Sequence, residues 1–363
     1  MIQSSLKKPG KMPALKIAAT VAFVAVVLGR ATEAQDLTFA LFERYLDSLR
    51  QESAIPGLSA AIVQNGRVAW ERGFGYRDVE SSSHAEPDTP YPIVDLAQTF
   101  ASTLLLQQCF ERRDLELDDR MIRWAPNYTD SSTTVGQILS HASPSGGFKY
   151  DPSRYAALTE VVQQCASQVY RKIVAQEVLD LVGMSDSVPG QHLAEPSPAD
   201  RRLFDQAALD RYAAVVRRMA IPYRVDSRGR PTRSDYSTRF MDASTGLIST
   251  VRDLARYDAA LDDGFFISRE TLAMAWTNAP SATGATLPTG RGWFVQAYNG
   301  ERIVWHFGEA KDAFSSLIVK IPGRRLTLVL LANSDGLSAP SALGAGDVVT
   351  SLFARLFLRL FIG

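Results

Sequence analysis

Apolar residues recur at helical spacing in the first regular pattern after the N-terminal region. The apolar positions are Leu37, Phe39, Ala40, Phe42, Leu46 and Leu49, with charged residues between them. This spacing places apolar side chains on one face of an amphipathic helix. The pattern therefore predicts a helix over residues 36–52.

Two later regions have β-rich runs separated by tight-turn signals. The pairs Asn65-Gly66 and Asn299-Gly300 each separate two such runs, and a third turn is expected near Pro322. Asn-Gly between β-rich runs is the strongest short hairpin signal. Both regions are therefore predicted to form antiparallel strands.

A mostly helical segment lies between the two strand regions. This order predicts an α/β (α+β) fold in which one antiparallel β-sheet is built from both termini and flanked by helices, with an inserted, mostly helical subdomain. The sheet region is expected at about 35–95 and 240–363, and the helical insertion at about 96–239.

The N-terminus resembles no part of this domain. Four lysines precede an apolar run over 17–28, and small residues follow as far as Ala34. This is the pattern of a secretory signal, so residues 1–34 are predicted to be a signal peptide and the protein to be exported, periplasmic or secreted. An uncleaved anchor is the alternative, although the apolar run is short for a bilayer span.

The composition argues against nucleic-acid binding and against a metal or cofactor site. The 363 residues carry a formal net charge of zero, so no basic field favours nucleic acid. The four histidines and two cysteines lack metal-site spacing, and neither a metal nor a cofactor is expected. Cys109 and Cys165 are expected either to pair or to remain two buried thiols.

The apolar tail, residues 351–363, has Arg355 and Arg359 one helical turn apart. It is expected either to pack on the sheet as a terminal helix or to lie in a membrane interface.

Several segments, taken in chain order, resemble the serine β-lactamase and penicillin-binding protein superfamily of serine hydrolases. The resemblance is greatest to its class C β-lactamase, D-alanyl-D-alanine carboxypeptidase and esterase branch. The segments include IPGLSAAIVQNGRVAWERGFGYRDVES, PDTPYPIVDLAQTFAS, TVGQILSHASPSGG, TGLISTVRDLARY and the WHFG stretch with the strands that follow it. The resemblance implies a β-lactamase/transpeptidase-like fold, but fold alone does not determine activity.

The chemistry of that superfamily uses a Ser-x-x-Lys motif at a helix start, a Tyr-x-Asn motif and a Lys/His-x-Gly strand. The segment YPIVDLAQTF aligns with the first motif and places Asp95 at the nucleophile and Gln98 at the lysine. Glutamine does not accept a proton at neutral pH, and aspartate is a poor nucleophile toward amides. The lysines after residue 34 are Lys149, Lys172, Lys311 and Lys320, and none follows a serine by three positions.

The other two motifs are partly retained. FKYDPSRYAALTEVV resembles the Tyr-x-Asn segment, with Tyr150 retained and Pro152 in place of the amide. The strand motif is retained as His306-Phe307-Gly308, followed by Glu309 where the family usually has glycine. Lys149 is a candidate substitute for the missing cation, but it is adjacent to Tyr150, and adjacent residues usually point different ways.

The replaced pair has a structural interpretation of its own. Asp95 at a helix start, with Gln98 three residues later, is the pattern of a capping box, which stabilises the first helical turn by about 0.5–2 kcal/mol. Tyr150 and His306 are then expected to line a retained cleft.

These observations favour a pseudoenzyme: an exported, β-lactamase-related protein that has lost acyl-transfer catalysis through the sequence Asp95-Leu96-Ala97-Gln98. It would bind peptidoglycan-like or peptide ligands, or act as a scaffold, in the cell envelope. The alternative is an active esterase, β-lactamase or D,D-peptidase in which Asp95 or His306 activates water with help from Tyr150. The sequence leaves the oligomeric state open.

Overall fold

The computed structural model describes residues 37–281 and 284–363, so the predicted signal peptide lies outside the described residues. The chain divides into two compact units. In the first, which ends at Tyr45, residues 37–45 are helical, and the second comprises residues 46–363. The helix predicted over 36–52 is observed over 37–52 and is named α1.

The second unit is built on a seven-stranded antiparallel sheet with the strand order β3-β2-β1-β11-β10-β9-β8. Its strands are β1 (Gly57–Gln64), β2 (Arg67–Asp78), β3 (Ser83–His84), β8 (Phe294–Tyr298), β9 (Glu301–Ala310), β10 (Phe314–Ile321) and β11 (Leu326–Ala332). Two small sheets pair β4 (Tyr91–Pro92) with β7 (Ile248–Ser249) and β5 (Tyr223–Val225) with β6 (Pro231–Arg233). Strands from both ends of the chain therefore share one sheet, as the sequence predicts.

Most helices lie between the two groups of strands. They are α2 (Ala97–Leu105), α3 (Met121–Trp124), α4 (Val135–Leu139), α5 (Leu158–Ala166), α6 (Tyr170–Val174), α7 (Asp200–Leu203), α8 (Gln206–Arg217), α9 (Val251–Asp262) and α10 (Arg269–Ala275), while α11 (Leu352–Phe361) follows the last strand. Short 3₁₀ helices span Val94–Leu96, Pro152–Ala157, Gln191–Ala194, Pro322–Arg324, Asp335–Leu337, Leu343–Ala345 and Val348–Thr350, and π turns span Leu106–Phe110 and Ala175–Leu179.

The predicted hairpins have the geometry that their turn residues require. Asn65 and Gly66 have φ angles of 53° and 74°, and Asn299 and Gly300 have 46° and 80°. Positive φ at both central residues gives a two-residue turn whose twist matches that of the strands, and asparagine and glycine tolerate it best. The pairings Gln64–Arg67 and Tyr298–Glu301 close the two hairpins.

The central strands β10 and β11 are buried along their whole length. Such strands have both faces covered, and α9 packs on β1 and β11. The predicted fold class is confirmed. The subdomain limits near residues 95 and 240 stay a prediction.

The C-terminal helix α11 has an apolar side that is buried at Phe353, Phe357 and Leu358, while Arg359 is exposed. Within residues 37–281 and 284–363, no helix has the length and apolar character needed to cross a bilayer. Membrane contact through residues 351–363 stays a prediction.

The two cysteines form a disulfide with a Cα–Cα distance of 5.4 Å. Cys109 lies in the π turn that follows α2, and Cys165 lies in α5. The bond therefore joins α5 to the π turn that follows α2.

Replacing both cysteines with alanine is expected to lower the free energy of unfolding by about 4 kcal/mol. The bond spans 56 residues, and opening a loop of that length releases the unfolded chain from a large entropic constraint. Urea unfolding with and without reductant measures the effect. Equal stability of the oxidised and reduced wild-type protein would contradict the expectation, and the double variant itself should not respond to reductant.

Candidate functional site

The 3₁₀ helix Val94–Leu96 carries Asp95 into the site. Val94 has a φ of 52°, a left-handed conformation that a β-branched residue rarely adopts. Strain of this kind costs about 1–3 kcal/mol and concentrates at functional sites. The segment is fixed from both sides, since the Ile93 N–H donates to the Leu247 carbonyl at 3.0 Å and the Ser316 hydroxyl donates to the Ile93 carbonyl at 2.7 Å.

Strand β9 approaches this turn at Gly308. A Cβ atom at Gly308 would lie 2.5 Å from the Ile93 carbonyl oxygen and 2.9 Å from the Asp95 nitrogen. Only glycine permits so close a backbone approach. Gly308, predicted from the strand motif, therefore sets the distance between β9 and Asp95.

The Asp95 carboxylate faces two backbone N–H groups. Its Oδ2 accepts a hydrogen bond from the Glu309 N–H at 3.3 Å, and its own N–H also stabilises the carboxylate. Burial is the largest influence on the Asp95 pKa, and with the nearby charges of Glu309 and Asp242 it raises that pKa to about 7. Two N–H groups that converge on an oxygen anion form the geometry of an oxyanion hole, here occupied by a side chain of the protein.

The predicted capping box is wrong. Neither the 3₁₀ helix nor α2 has a side-chain cap, and the N-cap of α2 is Leu96. Asp95 lies within the preceding 3₁₀ helix, and its carboxylate points to β9 instead of to the first turn of α2.

Gln98 is held by His141. Its Oε1 lies 3.0 Å from His141 Nε2, and the Asp151 N–H lies 3.5 Å from His141 Nδ1. Burial, followed by the charges of His306 and Arg154, keeps the His141 pKa well below its usual range. A neutral imidazole that donates from Nε2 and accepts at Nδ1 satisfies both contacts. Sequence reasoning did not select His141, although it lies in the TVGQILSHASPSGG segment.

Tyr150 packs against His141 and Phe307. Its ring centroid lies 4.6 Å from that of His141 and 5.1 Å from that of Phe307. Its hydroxyl is buried, and a side-chain hydrogen bond with Gln98 acts to lower its pKa against larger opposing effects. Burial, followed by the charge of Asp95, raises the Tyr150 pKa far above 10, so the phenol is neutral.

His306 is completely buried in β9. Its Nδ1 donates to the Phe307 carbonyl at 2.8 Å, while Nε2 has no hydrogen-bond partner among the described residues. Burial lowers the His306 pKa to about 4, so the imidazole is neutral and only a weak base at pH 7.

Pro152 and Lys149 contribute less to the site than the residues described above. Pro152 opens the 3₁₀ helix Pro152–Ala157, where a missing N–H is tolerated. The Lys149 side chain is exposed.

Asp95, Gln98, Tyr150, His306 and Gly308 therefore lie in one region, joined by His141 and Glu309. The catalytic or binding roles of these residues stay a prediction. Among residues 37–281 and 284–363, no three His, Cys, Asp or Glu side chains are arranged to hold a metal ion.

Residues 42–348 match the Beta-lactamase family, and the chain belongs to that family. It is therefore a member of the serine β-lactamase and penicillin-binding protein superfamily, as the sequence segments indicate.

Curated relatives include Protein flp of Staphylococcus aureus strain MW2, which is 23% identical over 78% of this chain and 60% of its own length. Penicillin-binding protein 4* of Bacillus subtilis strain 168 is 19% identical over 75% of this chain and 67% of its own length. The chain thus spans less than two thirds of the length of the staphylococcal relative.

Solved structures of other proteins have a fold similar to that of this chain. The octameric penicillin-binding protein homologue from Pyrococcus abyssi has a TM-score of 0.68 and 21% identity, over 82% of this chain and 74% of that chain. The D-amino acid amidase from Ochrobactrum anthropi SV3, complexed with L-phenylalanine amide, has a TM-score of 0.67 and 18% identity, over 88% of this chain and 98% of that chain.

Substituting Gly308→Ala is expected to destabilise the protein by about 1–3 kcal/mol, because the new methyl group overlaps the Ile93 carbonyl and the Asp95 nitrogen. Gly147→Ala is the matched control, since a Cβ there meets only the Ser143 hydroxyl at 3.8 Å. Urea unfolding compares the two variants, and equal losses would contradict the close approach.

Substituting Asp95→Asn is expected to change how stability depends on pH. The folded state raises the Asp95 pKa from 3.8 to about 7, so it binds the proton more tightly than the unfolded state does. Stability contributed by the protonated form is therefore lost as pH rises from about 4 to 7. The wild-type melting temperature should match that of the variant near pH 4 and fall below it at pH 8.

The other acids near Asp95, namely Glu309 and Asp242, are unchanged in this comparison. Both residues are present in the two proteins, so the difference between the two melting curves reports the change at position 95. Parallel pH profiles would show that the Asp95 pKa is not raised.

Proposed function

We propose that this chain is a non-acylating member of the Beta-lactamase family that works by binding, in the cell envelope, after export. The observation that carries the proposal is the Asp95 carboxylate, which occupies the pair of backbone N–H groups of Asp95 and Glu309. A carbonyl oxygen that needs those donors would have to displace the Asp95 side chain.

The hydroxyl groups close to Asp95 donate hydrogen bonds to backbone carbonyl groups. Thr99 donates to the Leu96 carbonyl at 2.9 Å, Ser316 to the Ile93 carbonyl at 2.7 Å and Ser338 to the Gly308 carbonyl at 3.2 Å. None of these bonds involves a general base. An activated serine requires such a base within hydrogen-bond reach.

Basic side chains do not supply the missing proton acceptor. Lys320 is buried in ion pairs with Asp258 and Asp262. Lys149 and Lys311 are exposed, and Lys172 lies over the Phe204 ring at 5.2 Å. Gln98, at the position of the lysine in the resemblance, is bonded to His141.

The retained backbone strain at Val94 supports binding over a purely structural role. A strained conformation persists only where the surrounding structure enforces it, and function is a common reason for such enforcement. The names of the similar proteins, a penicillin-binding protein and a D-amino acid amidase, suggest peptide or amide ligands.

A specific observation favours one second candidate, a hydrolase in which Asp95 is the general base. A carboxylate with a pKa of about 7 is well matched to proton transfer at neutral pH. Turnover of nitrocefin, p-nitrophenyl acetate and a D-alanyl-D-alanine peptide would support this candidate only if Asp95→Ala abolished it. The same assays on His306→Ala test the other side chain considered as a base.

Incubation of the purified protein with fluorescent penicillin and a fluorophosphonate probe tests the proposal. We expect no covalent labelling, because neither the Asp95 carboxylate nor the engaged hydroxyls attack the probes. A penicillin-binding protein is the positive control. Labelling of the wild-type protein at a serine would overturn the proposal.

A variant carrying Asp95→Ser, Gln98→Lys and Pro152→Asn restores the residue types of the superfamily motifs. It is expected to label with penicillin, because the serine would lie next to both a lysine and the N–H groups that Asp95 now occupies. Asp95→Ser alone is the matched control and is expected to label at least about tenfold more slowly, because general base catalysis contributes on the order of 10²–10⁴ in rate.

A further inference from the structure

A surface cavity of about 550 Å³ is lined by the β1–β2 hairpin, by helix α9 and by Val182. Small-molecule sites usually have volumes of about 300–1,000 Å³, so the cavity is large enough for such a ligand. Four of the residues that line it are apolar, namely Val68, Val182, Ala255 and Ala259. The lining also includes three arginines and one glutamate, so the cavity combines apolar surface with charge.

A bulge in β2 brings Val68 and Glu71 to the same cavity. The register of β2 against β1 shifts by one residue between the pairs Ile62–Trp70 and Val63–Val68. In a regular strand, residues three positions apart point to opposite faces, and the extra residue of a bulge changes that alternation. The strand can therefore supply both an apolar and a charged side chain to one cavity.

Helix α9 contributes residues that share one of its faces. Arg252, Ala255, Arg256 and Ala259 are spaced by three or four positions, which brings side chains together on a helix. Two arginines therefore lie next to two small apolar residues, and the small side chains leave space between the helix and the hairpin.

Hydrogen bonds hold these two arginines in place and leave part of each guanidinium group free. Arg252 donates to the Glu71 carboxylate from Nε at 3.0 Å and from Nη2 at 2.6 Å. Arg256 donates from Nη1 to the Gly183 carbonyl at 3.0 Å and to the Asp253 carboxylate at 2.6 Å. Within the part of the chain that the structure describes, Arg256 Nε and Nη2 have no hydrogen-bond partner. They form a pre-positioned fork of donors.

Arg67 adds a third positive charge. Its side chain is exposed and forms no ion pair or hydrogen bond within residues 37–281 and 284–363. With one glutamate, the three arginines give the lining of the cavity a formal charge of +2. Counting Asp253, which is buried against Arg256, the charge remains positive. The cavity therefore favours an anion over a cation.

The cavity lies far from Asp95 along the sheet. Gly308, which contacts the Asp95 turn, is in register with Ser59 of β1 through β10 and β11. Gln64, which pairs with Arg67, lies five residues further along β1, a distance of about 17 Å at about 3.4 Å per residue. Binding in the cavity therefore does not depend on the role of Asp95.

We propose that this cavity binds an organic carboxylate with an apolar body, such as a medium-chain fatty acid. The carboxylate accepts hydrogen bonds from Arg67 and from the free fork of Arg256, because a planar guanidinium group matches a carboxylate. The apolar body lies against Val68, Val182 and the two alanines, where burial removes its surface from water. An organic cation meets three guanidinium groups and is disfavoured. Inorganic phosphate fits the arginines but leaves the apolar part of the cavity uncovered.

Calorimetric titration of the full chain at pH 8 with sodium octanoate, below its micelle concentration, tests the proposal. Octylamine, which is protonated at that pH, has the same length and the opposite charge, while acetate and inorganic phosphate lack the apolar body. We expect octanoate to bind at one site per chain and the other three compounds to bind at least about tenfold more weakly, because each lacks one of the two interactions.

Two variants separate the charged and the apolar parts of the cavity. Arg67→Gln removes an unpaired charge, and Val68→Asp places an acid at an apolar position whose side chain is 42% exposed. Each is expected to weaken octanoate binding by about tenfold. Arg224→Gln, and Ile122→Asp at a position that is 40% exposed, are the matched controls away from the cavity and are expected to bind as the wild type does. Melting temperatures verify that every variant is folded.

Undetectable binding of octanoate, unchanged binding by Arg67→Gln or Val68→Asp, or an equal loss in the control variants would overturn the inference. Binding of octylammonium or acetate as tight as that of octanoate would also overturn it. Tighter binding of phosphate would do the same and would indicate a site for inorganic anions. All of these outcomes leave the non-acylating proposal standing, and covalent labelling by penicillin would remove that proposal whatever octanoate does.

Discussion

The approach of strand β9 to the turn that carries Asp95 is the contact on which the rest of the site depends. It is possible only because Gly308 has no side chain, and it brings the Glu309 N–H to the Asp95 carboxylate. The left-handed Val94 directs residue 95 toward the strand. These constraints act on the backbone, so they hold whatever side chain occupies position 95. A fold of this kind can therefore hold different side chains at position 95 within the same backbone geometry.

Burial then decides the charge state of each group. It raises the pKa of Asp95 to about 7, lowers that of His306 to about 4 and keeps Tyr150 protonated. Neutral histidines and a neutral phenol leave the carboxylates as the principal charges of the site. Catalysis requires interactions that strengthen in the transition state, whereas a carboxylate already placed on the N–H donors opposes a developing oxyanion.

The sequence predicted local structure correctly where that structure depends on residues close together in the chain. The hairpins follow from Asn65-Gly66 and Asn299-Gly300, because these residues tolerate positive φ. The resemblance to the superfamily predicted that Asp95, Tyr150 and the other site positions lie in one region. The capping box failed because it requires α2 to begin at Asp95, and packing against β9 places a 3₁₀ helix there instead. The contact between Gln98 and His141 joins residues 43 positions apart, so no local sequence pattern predicts it.

By itself, the sequence determined the alternating strands, the main helices and the absence of Ser-x-x-Lys after residue 34, since these depend on local spacing and residue type. Only the tertiary structure decided that Cys109 pairs with Cys165, and that Asp95 meets Glu309 from 214 positions away. It also decided which acids share one locality and how far their pKa values move. Such contacts depend on how the sheet and the helices pack against each other. The desolvation of a group depends on all the residues around it. Neither can therefore be predicted from a single segment of the sequence.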